Sequence, residues 1–391
     1  VGFINYKTMN PIETMYGINI SADKYFQLAR FSLRFLGCWP EGKISPLRAL
    51  LMFVNLSILF AVTLGEFVFA ISKADESAIL SLDALCPCIT RIVTFVKLIF
   101  IISHRKRFQD LIEETTKLVQ KANKIAHFYV LLVFAFGNFT NMFYFLRPIV
   151  RMTYFYTTGG SVIRELPFKI FSVYDLYKSP LYEISYLWLS YSGIVTVFGF
   201  SGIDGSFIGF CLYISVLFKS IQFDLKKAFE DIKSEKFSHA DNNKLFEKLR
   251  PIIIKHINLI RVTEKFRKLY TIIILGHFLS AAIVLGISSI DLILASGFAK
   301  SIYVFYNLAV LTQLYIYCSG GTYVTENVTK IAYSCDWYKC DTRLQQILMI
   351  VIMRSQKGIT LTVPFFTPSM PTYGTILSTS GSYITLLKTL L

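Results

Sequence analysis

Long apolar runs alternate with segments rich in lysine and arginine along this sequence, and that alternation restricts the chain to a membrane fold. A transmembrane helix needs about 20 mostly apolar residues, because the hydrocarbon core of a bilayer is about 30 Å thick. Inside that core the backbone polar groups must be satisfied within the segment, which favours helices. Runs of suitable length occupy residues 46–71, 78–102, 125–146, 184–218, 269–290, 301–324 and 371–391. The sequence therefore predicts an all-α protein with seven transmembrane helices.

The distribution of basic residues predicts how these helices are oriented. The segment before residue 125 and the segment 219–268 are both strongly basic, so both are expected in the cytoplasm. An even number of spans must separate them, which makes 184–218 one long helix rather than two short ones joined at 201–205. The amino terminus is then cytoplasmic and the carboxyl terminus extracellular. G-protein-coupled receptors have the opposite orientation, and their Asp-Arg-Tyr and Asn-Pro-x-x-Tyr motifs are missing at the corresponding places.

The segments outside the spans divide the chain further. A helical anchor below the membrane is predicted where amphipathic spacing continues the spans into the cytoplasm. The loop before the fourth span is long and aromatic, and it is expected to fold as a lid. The predicted divisions are a cytoplasmic amino-terminal segment with a surface helix (1–45), spans one to four (46–218) with an extracellular loop (147–183), a cytoplasmic anchor (219–268), spans five and six (269–324), a further anchor helix (325–370) and helix seven (371–391).

Composition excludes several function classes. The net charge of +15 could suggest nucleic-acid binding, but the basic residues are mixed with acids and lie beside apolar spans. Seven cysteines without paired spacing do not form a disulfide framework or a zinc site. The sequence has no phosphate-binding glycine loop, nucleophile elbow or metal-binding histidine motif. We therefore expect no catalytic residues, no metal, no cofactor and no nucleic-acid partner.

A few charged residues interrupt the first two spans. Arg91 is too central to reach water, so it must face the bundle interior or a wet cavity, paired with Asp83 or Glu66. A buried ion pair is the favoured interpretation over a ligand contact. Glu66 is expected to be an interfacial residue or a helix partner, and Lys97 is expected to extend towards the basic end of its span. His277, in the fifth span, is interpreted as a satisfied core group.

The last 21 residues combine an apolar face with a stripe of hydroxyl groups. Ser369 can cap this helix, and Pro371 is tolerated in its first turn. Leu386 interrupts the stripe near its end. Hydroxyl groups that hydrate a path and one leucine that can dry it are typical of a gated pore. A helix buried among others, with its hydroxyls bonded back to its own backbone, is the alternative. The stripe consists of Thr375, Ser378, Thr379, Ser382 and Thr389.

Several motifs resemble those of one receptor family. The run Ala-Tyr-Ser-Cys-Asp-Trp-Tyr at 332–338, the tetrapeptide at 354–357 and the terminal Ser-Tyr-Ile-Thr-Leu-Leu at 382–387 resemble signatures of insect odorant receptors. The pair Phe365–Phe366 and the run 203–207 around Asp204 are similar too. The family's co-receptor has a much longer insertion between helices four and five, so this chain resembles an odorant-specific tuning subunit. The tail motif of gustatory receptors is absent.

This resemblance implies a ligand-gated, non-selective cation channel in the plasma membrane of sensory neurons. Tuning subunits and the odorant co-receptor would form a heterotetramer through their cytoplasmic helices, surrounded by membrane lipid, with each last helix lining one pore. By position relative to Tyr383, Leu386 matches the family's hydrophobic gate and Thr389 its outer neighbour. Lys388 departs from the co-receptor's pattern. The pore and gate residues are predicted to be Thr375, Ser378, Ser382, Leu386 and Thr389.

The resemblance also implies a site for a small volatile odorant among the outer halves of helices two to six, at about 80–92, 136–147, 182–198, 283–292 and 300–310. Such a pocket should be apolar and aromatic with few polar groups. Ordinary packing within the bundle is the alternative role for each candidate. The rival functions are a metabotropic receptor, a gustatory-type channel and a transporter, although no internal repeat supports the last. The predicted ligand contacts are Phe139, Tyr144, Tyr191, Tyr303 and Tyr306.

Overall fold

The structure is a computed structural model that describes residues 26–42, 44–118, 124–158, 164–230, 238–295, 297–329, 337–356 and 360–390, with the side chains of 115–118, 124–130, 298, 327–329, 356, 383 and 387–390 left out. Within these ranges the chain is helical apart from turns, loops and one isolated bridge between Val363 and Phe366. The α-helices, in chain order, are α1 (Gln27–Phe35), α2 (Pro46–Lys73), α3 (Ala78–Ser103), α4 (Arg105–Leu118), α5 (Lys124–Thr157), α6 (Leu181–Glu230), α7 (His239–Leu294), α8 (Phe298–Thr329), α9 (Thr342–Gln356) and α10 (Met370–Leu390).

Most of the predicted spans appear as long apolar helices. In the described part of the chain, α2, α3, α6, α7 and α8 are long and apolar enough to cross a membrane. The helices α5 and α10 correspond to the third and seventh predicted spans but lie outside this group. In α10 the hydroxyl stripe interrupts the apolar run, whereas the side chains of α5 are described only from residue 131 onwards.

The helix α6 is the centre of the bundle. It runs without a break for 50 residues through 201–205, in agreement with one long helix at the fourth span. Its length is about 75 Å at ~1.5 Å per residue, which exceeds the ~30 Å of a hydrocarbon core. The most apolar stretch of α6 is 89% buried, whereas that of α2 is only 22% buried. The other helices therefore surround α6.

Glycines in α6 allow its neighbours to approach closely. A Cβ atom at Gly199 would lie 2.5 Å from Thr94 Cγ2 on α3, and one at Gly202 would lie 2.6 Å from Leu33 Cγ on α1. Real Cβ atoms do not approach other atoms this closely. The lack of a side chain at Gly199 and Gly202 therefore allows α3 and α1 to pack tightly against α6.

The predicted amphipathic helix in the amino-terminal segment is α1, and it packs on the bundle. Its buried residues Ala29, Ser32 and Leu33 face α6. After α1 the chain is held by Arg34, which donates hydrogen bonds of 2.8 and 2.7 Å to the carboxylate of Glu41. These bonds keep the pKa of Glu41 below its usual value, because they favour the ionised carboxylate.

A second, smaller core lies where the end of α6 meets the beginning of α7. The last turns of α6, the first turns of α7 and the helix α9 contribute its buried side chains. The continuations of the spans therefore pack together beyond the main bundle. This core contains Leu225, Ala228, Phe229, Leu245, Leu249, Cys340, Leu344 and Leu348.

One predicted boundary is incorrect. The loop was expected to begin at 147, but α5 continues to Thr157. The arginines that follow the apolar run find carboxylates nearby, since Arg147 lies 3.4 Å from Asp83 and Arg151 bonds to Glu165. These pairs let the charged residues remain on the helix, so the segment between α5 and α6 is shorter than predicted.

We predict that Gly202→Ala destabilises the packing of α1 on α6. The added Cβ atom would overlap Leu33, and overpacking of a core typically costs about 1–3 kcal/mol. The midpoint of thermal unfolding of the purified chain in detergent should fall by several degrees. Gly276→Ala on α7 is the control, because no atom lies within 4 Å of its added Cβ. Equal midpoints for the two variants would contradict the prediction.

Candidate functional site

A cavity lies between α3, α5, α6, α7 and α8, the helices of the second to sixth predicted spans. Its cavity volume is about 80 Å³, and about 790 Å³ when the gaps between its wall atoms and its opening to solvent are counted as well. On α3 its wall extends from Pro87 to Lys97, which is roughly 15 Å at ~1.5 Å per residue. The side chains of Val197, Phe200 and Val284 make much of the wall apolar. A concave, largely apolar site between helices is suited to a small molecule.

Four of the serine and threonine hydroxyls in the cavity wall are already satisfied. Each donates a hydrogen bond to a backbone carbonyl three or four residues earlier in its own helix, with oxygen–oxygen distances of 2.8 to 2.9 Å. They therefore add little polarity to the wall. These residues are Thr94, Thr140, Thr196 and Ser280.

Two of the five predicted ligand contacts line the cavity. Tyr144 is 3% exposed, and its ring lies 4.9 Å from the ring of Phe168, between centroids. Tyr306 is 7% exposed, and its hydroxyl donates to the carbonyl of Cys86 at 2.8 Å and also contacts the hydroxyl of Thr90. The structure thus brings these two tyrosines to the cavity wall, one from α5 and one from α8.

The other three predicted contacts point elsewhere. The ring of Phe139 is half exposed on the outside of α5 and stacks on Phe305, with centroids 6.0 Å apart. Tyr191 donates to the side chain of Asn55 at 2.9 Å, on the side of α6 that faces α2. Tyr303 donates to Asp83 at 2.5 Å. These residues lie on the predicted helices, but the sequence did not reveal which face each helix turns to the cavity.

Phe168 is a cavity residue that was not singled out from the sequence. It is 4% exposed and comes from the segment between α5 and α6, which was expected to act as a lid. Lys169 beside it lies 2.5 Å from the carboxylate of Asp83 on α3, and this ion pair holds the segment against the bundle. The aromatic character of the loop was the available signal, but its sequence could not show which ring turns inward.

The central arginine is buried in an ion pair, as the sequence indicated. Arg91 and Glu66 are 1% and 0% exposed, and the guanidinium of Arg91 bonds to the Glu66 carboxylate. The guanidinium also lies 4.1 Å from the ring centroid of Phe168, a cation–π distance. Of the two partners considered, Asp83 is instead paired with Arg147 and Lys169.

The expectation for Lys97 is wrong. Lys97 is 4% exposed and does not extend towards the end of its span, because its ammonium lies 2.8 Å from the carboxylate of Asp204 on α6. The same ammonium is 3.3 Å from both Tyr317 and His277, which line the space around it. Lys97 and Asp204 lie in different apolar runs. Their opposite charges are visible in the sequence, but the sequence does not show that the two side chains are close together.

The last helix begins as predicted and has one uncovered side. Ser369 accepts a hydrogen bond from the backbone N–H of Thr372 at 3.4 Å. One side of α10 packs on α7 and α8, for example through the ring of Tyr373, 5.5 Å from that of Tyr315. On the other side the predicted pore residues are exposed within the single chain, whereas the side chain of Thr389 lies outside the described residues. The exposed ones are Thr375, Ser378, Ser382 and Leu386.

The hydroxyls of α10 donate back to their own helix and keep oxygen lone pairs on the exposed side. Thr375 bonds to the carbonyl of Pro371 at 3.2 Å, and Ser382 bonds to that of Ser378 at 3.0 Å. The back-bonding of the alternative interpretation is therefore present, and back-bonded hydroxyls can still accept hydrogen bonds from water. Leu386 is 54% exposed on this helix.

The described residues do not contain a metal site. No group of three or more histidine, cysteine, aspartate or glutamate side chains in the described ranges is arranged to hold an ion.

Comparison with known proteins assigns the fold and the family. The family profile described as "7tm Odorant receptor" matches residues 78–381. Odorant receptor 22c of Drosophila melanogaster is 33% identical, over 95% of this chain and 98% of that protein. Odorant receptor 10a of the same fly is 32% identical, over 93% and 95%.

A solved structure has the same architecture. The insect olfactory receptor OR5 from Machilis hrabei superposes with a TM-score of 0.74 at 15% identity, over 93% of this chain and 97% of that one. Its complex with eugenol gives a TM-score of 0.73 at 14% identity, over 95% and 98%. This likeness confirms the all-α, seven-transmembrane fold.

The family consists of receptors, which confirms that the chain is not an enzyme. The profile covers most of the sequence, and the identity to a curated odorant receptor extends over nearly its whole length. This chain is therefore a multi-pass membrane protein that belongs to the insect odorant receptor family.

Proposed function

We propose that the chain is the odorant-binding subunit of a ligand-gated, non-selective cation channel, formed together with the family's co-receptor as a heterotetramer. The plasma membrane of sensory neurons, with the amino terminus in the cytoplasm, is the location that fits this role. The observation that carries the proposal is the hydroxyl face of α10, where Thr375, Ser378 and Ser382 are exposed among the described residues.

The cavity supports a ligand-binding role. Its walls come from five helices, so a bound molecule would contact α3, α5, α6, α7 and α8 at once and could change how they pack. The structure of OR5 in complex with eugenol concerns that protein, and it makes a small aromatic volatile a reasonable class of ligand here. Membership in an odorant receptor family points in the same direction.

The exposed side of α10 supports a role in a pore. Serine and threonine oxygens along one face can take the place of hydration around a passing cation. In a bundle of several chains these faces would meet at a common axis, and membrane lipid would contact the outer helices. A transmembrane helix with this face turned to lipid would gain nothing from its hydroxyls.

Leu386 is our proposed gate. It is the large apolar side chain within the hydroxyl stripe, and a ring of leucines at a narrow axis excludes water. Thr375, Ser378 and Ser382 lie before it along the helix, and Thr389 follows it in sequence.

We predict that the chain alone gives little current and that co-expression with an insect odorant co-receptor gives odorant-evoked cation current. Whole-cell recording with an odorant panel measures this, with cells that express either subunit alone as controls. Odorant-evoked G-protein signalling without current would favour a metabotropic receptor, and saturable substrate flux with fixed stoichiometry would favour a transporter.

We predict that Leu386→Ala raises the basal leak of the assembled channel at least several-fold, since a smaller side chain leaves the constriction hydrated. The measurement is current without odorant, scaled to surface expression. Leu377→Ala is the matched control, because Leu377 is also exposed on α10 but lies off the hydroxyl stripe. Unchanged gating and permeation in the Leu386 variant would remove the gate assignment.

We predict that Val310→Trp raises the odorant concentration for half-maximal current at least tenfold, because the indole would fill the cavity. Val310 is 7% exposed and lines the cavity from α8. Val304→Trp is the control on the same helix, since Val304 is 40% exposed and outside the cavity. Equal shifts for both variants would show that the cavity is not the ligand site.

A further inference from the structure

A buried histidine lies at one end of the cavity with only one of its two ring nitrogens engaged. His277 on α7 is 4% exposed and lines the cavity wall. Its Nδ1 lies 3.3 Å from the ammonium of Lys97, and its ring lies 4.6 Å from that of Tyr317. Its Nε2 is buried and has no hydrogen-bond partner among the residues that the structure describes.

The neighbour of Nδ1 decides what Nε2 can do. An ammonium group has three hydrogens to donate and no lone pair, so Lys97 donates and Nδ1 accepts. A neutral imidazole that accepts at Nδ1 carries its hydrogen on Nε2. The tautomer is assigned from this network, and it makes Nε2–H a buried hydrogen-bond donor on a side chain that lines the cavity.

Lys97 itself is not available to a ligand. Its ammonium contacts Asp204 at 2.8 Å, His277 Nδ1 at 3.3 Å and Tyr317 at 3.3 Å, which accounts for all three of its hydrogens. The carboxylate of Asp204 balances its charge. This end of the cavity therefore attracts a neutral acceptor at His277 and has no spare positive charge for an acid.

A second pair of unpartnered groups lies towards the other end. Arg91 Nε, which can only donate, and the hydroxyl of Tyr144 are both buried without a hydrogen-bond partner among the described residues. Both residues line the cavity. On α3, Arg91 and Lys97 are separated by roughly 9 Å at ~1.5 Å per residue, and apolar side chains such as Val197 and Val284 lie in the wall.

We infer that the cavity recognises uncharged volatiles with a hydrogen-bond acceptor oxygen, such as ketones, aldehydes and esters, through the Nε2–H of His277. A carbonyl oxygen has two lone pairs and requires no donor in return, so it satisfies this group while the hydrocarbon part contacts the apolar wall. The inference rests on the proposed function only in taking the cavity as the odorant site.

The selectivity follows from what a ligand without oxygen would leave behind. A hydrocarbon offers the buried N–H of His277 no acceptor, whereas a carbonyl oxygen does, and an unpaired buried donor is costly in a medium of low dielectric. A loss of this kind corresponds to about tenfold in affinity.

The test uses compounds matched in shape. The panel contains C6 to C10 methyl ketones, each paired with the hydrocarbon in which a methylene group replaces the carbonyl oxygen; heptan-2-one and 2-methylhept-1-ene are one such pair. Direct binding to the purified full chain in detergent and evoked current with the co-receptor are both measured. We expect the carbonyl member of each binding pair to bind about tenfold more tightly.

Two variants of one residue separate hydrogen bonding from packing. In His277→Phe a ring is kept but the donor is lost, so the difference within each pair should collapse. His277→Gln retains an N–H donor and should restore part of the difference in affinity within each pair. Ile283→Phe on the same helix is the control, because Ile283 is 53% exposed and does not line the cavity.

Equal binding within the pairs on the unmodified chain overturns the inference, as does a panel in which only hydrocarbons bind or no carbonyl compound binds. That result needs no variant, so a misfolded His277→Phe chain does not prevent the test. If carbonyl compounds bind selectively but evoke no current, the channel function is wrong and the ligand class stands. If odorants evoke current without selectivity for the carbonyl, the channel function stands and the inferred ligand class is wrong.

Discussion

Charged side chains inside a bilayer must meet a partner within the protein, and in this structure that requirement fixes how the helices around α6 are turned. An arginine, lysine or aspartate at the centre of a transmembrane helix costs about 2.5–3.5 kcal/mol on insertion scales. The pair Lys97–Asp204 joins α3 to α6, and Arg91–Glu66 joins α3 to α2. With both contacts made, α3 can present only one face to the cavity. Removing one partner would leave the other charge buried alone, which is far worse than never having the pair.

The segment between α5 and α6 extends this principle to the end of the bundle. Asp83 on α3 is contacted by Arg147 of α5, by Lys169 of the segment and by the hydroxyl of Tyr303 on α8. These contacts bring Phe168 over the guanidinium of Arg91. One ring thus covers a buried ion pair and forms part of the cavity wall. A ligand in the cavity would touch groups that also hold the helices together, which is a physical route from binding to a change in packing.

The helix α10 differs from the rest because, among the described residues, little packs against its hydroxyl face. The large core contains buried side chains of most helices, whereas α10 contributes partly buried residues such as Tyr373 and Ile376. The hydroxyls on this face are bonded to their own helix and still carry acceptor lone pairs, which a neighbouring protein surface or water would satisfy better than lipid.

The sequence by itself determined the helical membrane architecture, since apolar runs of the right length leave a chain few other folds. It also determined the polar stripe of α10, because the period of a helix decides which residues share a face. For Arg91 it left two candidate ion-pair partners, Asp83 and Glu66. The tertiary structure alone decided which tyrosines reach the cavity, that Lys97 meets Asp204, and that Phe168 turns inward. Those facts depend on the rotation of one helix against another and on contacts between residues far apart in the chain. The periodicity of a sequence describes each helix separately, so it contains no information about the rotation of one helix against another or about contacts between distant parts of the chain.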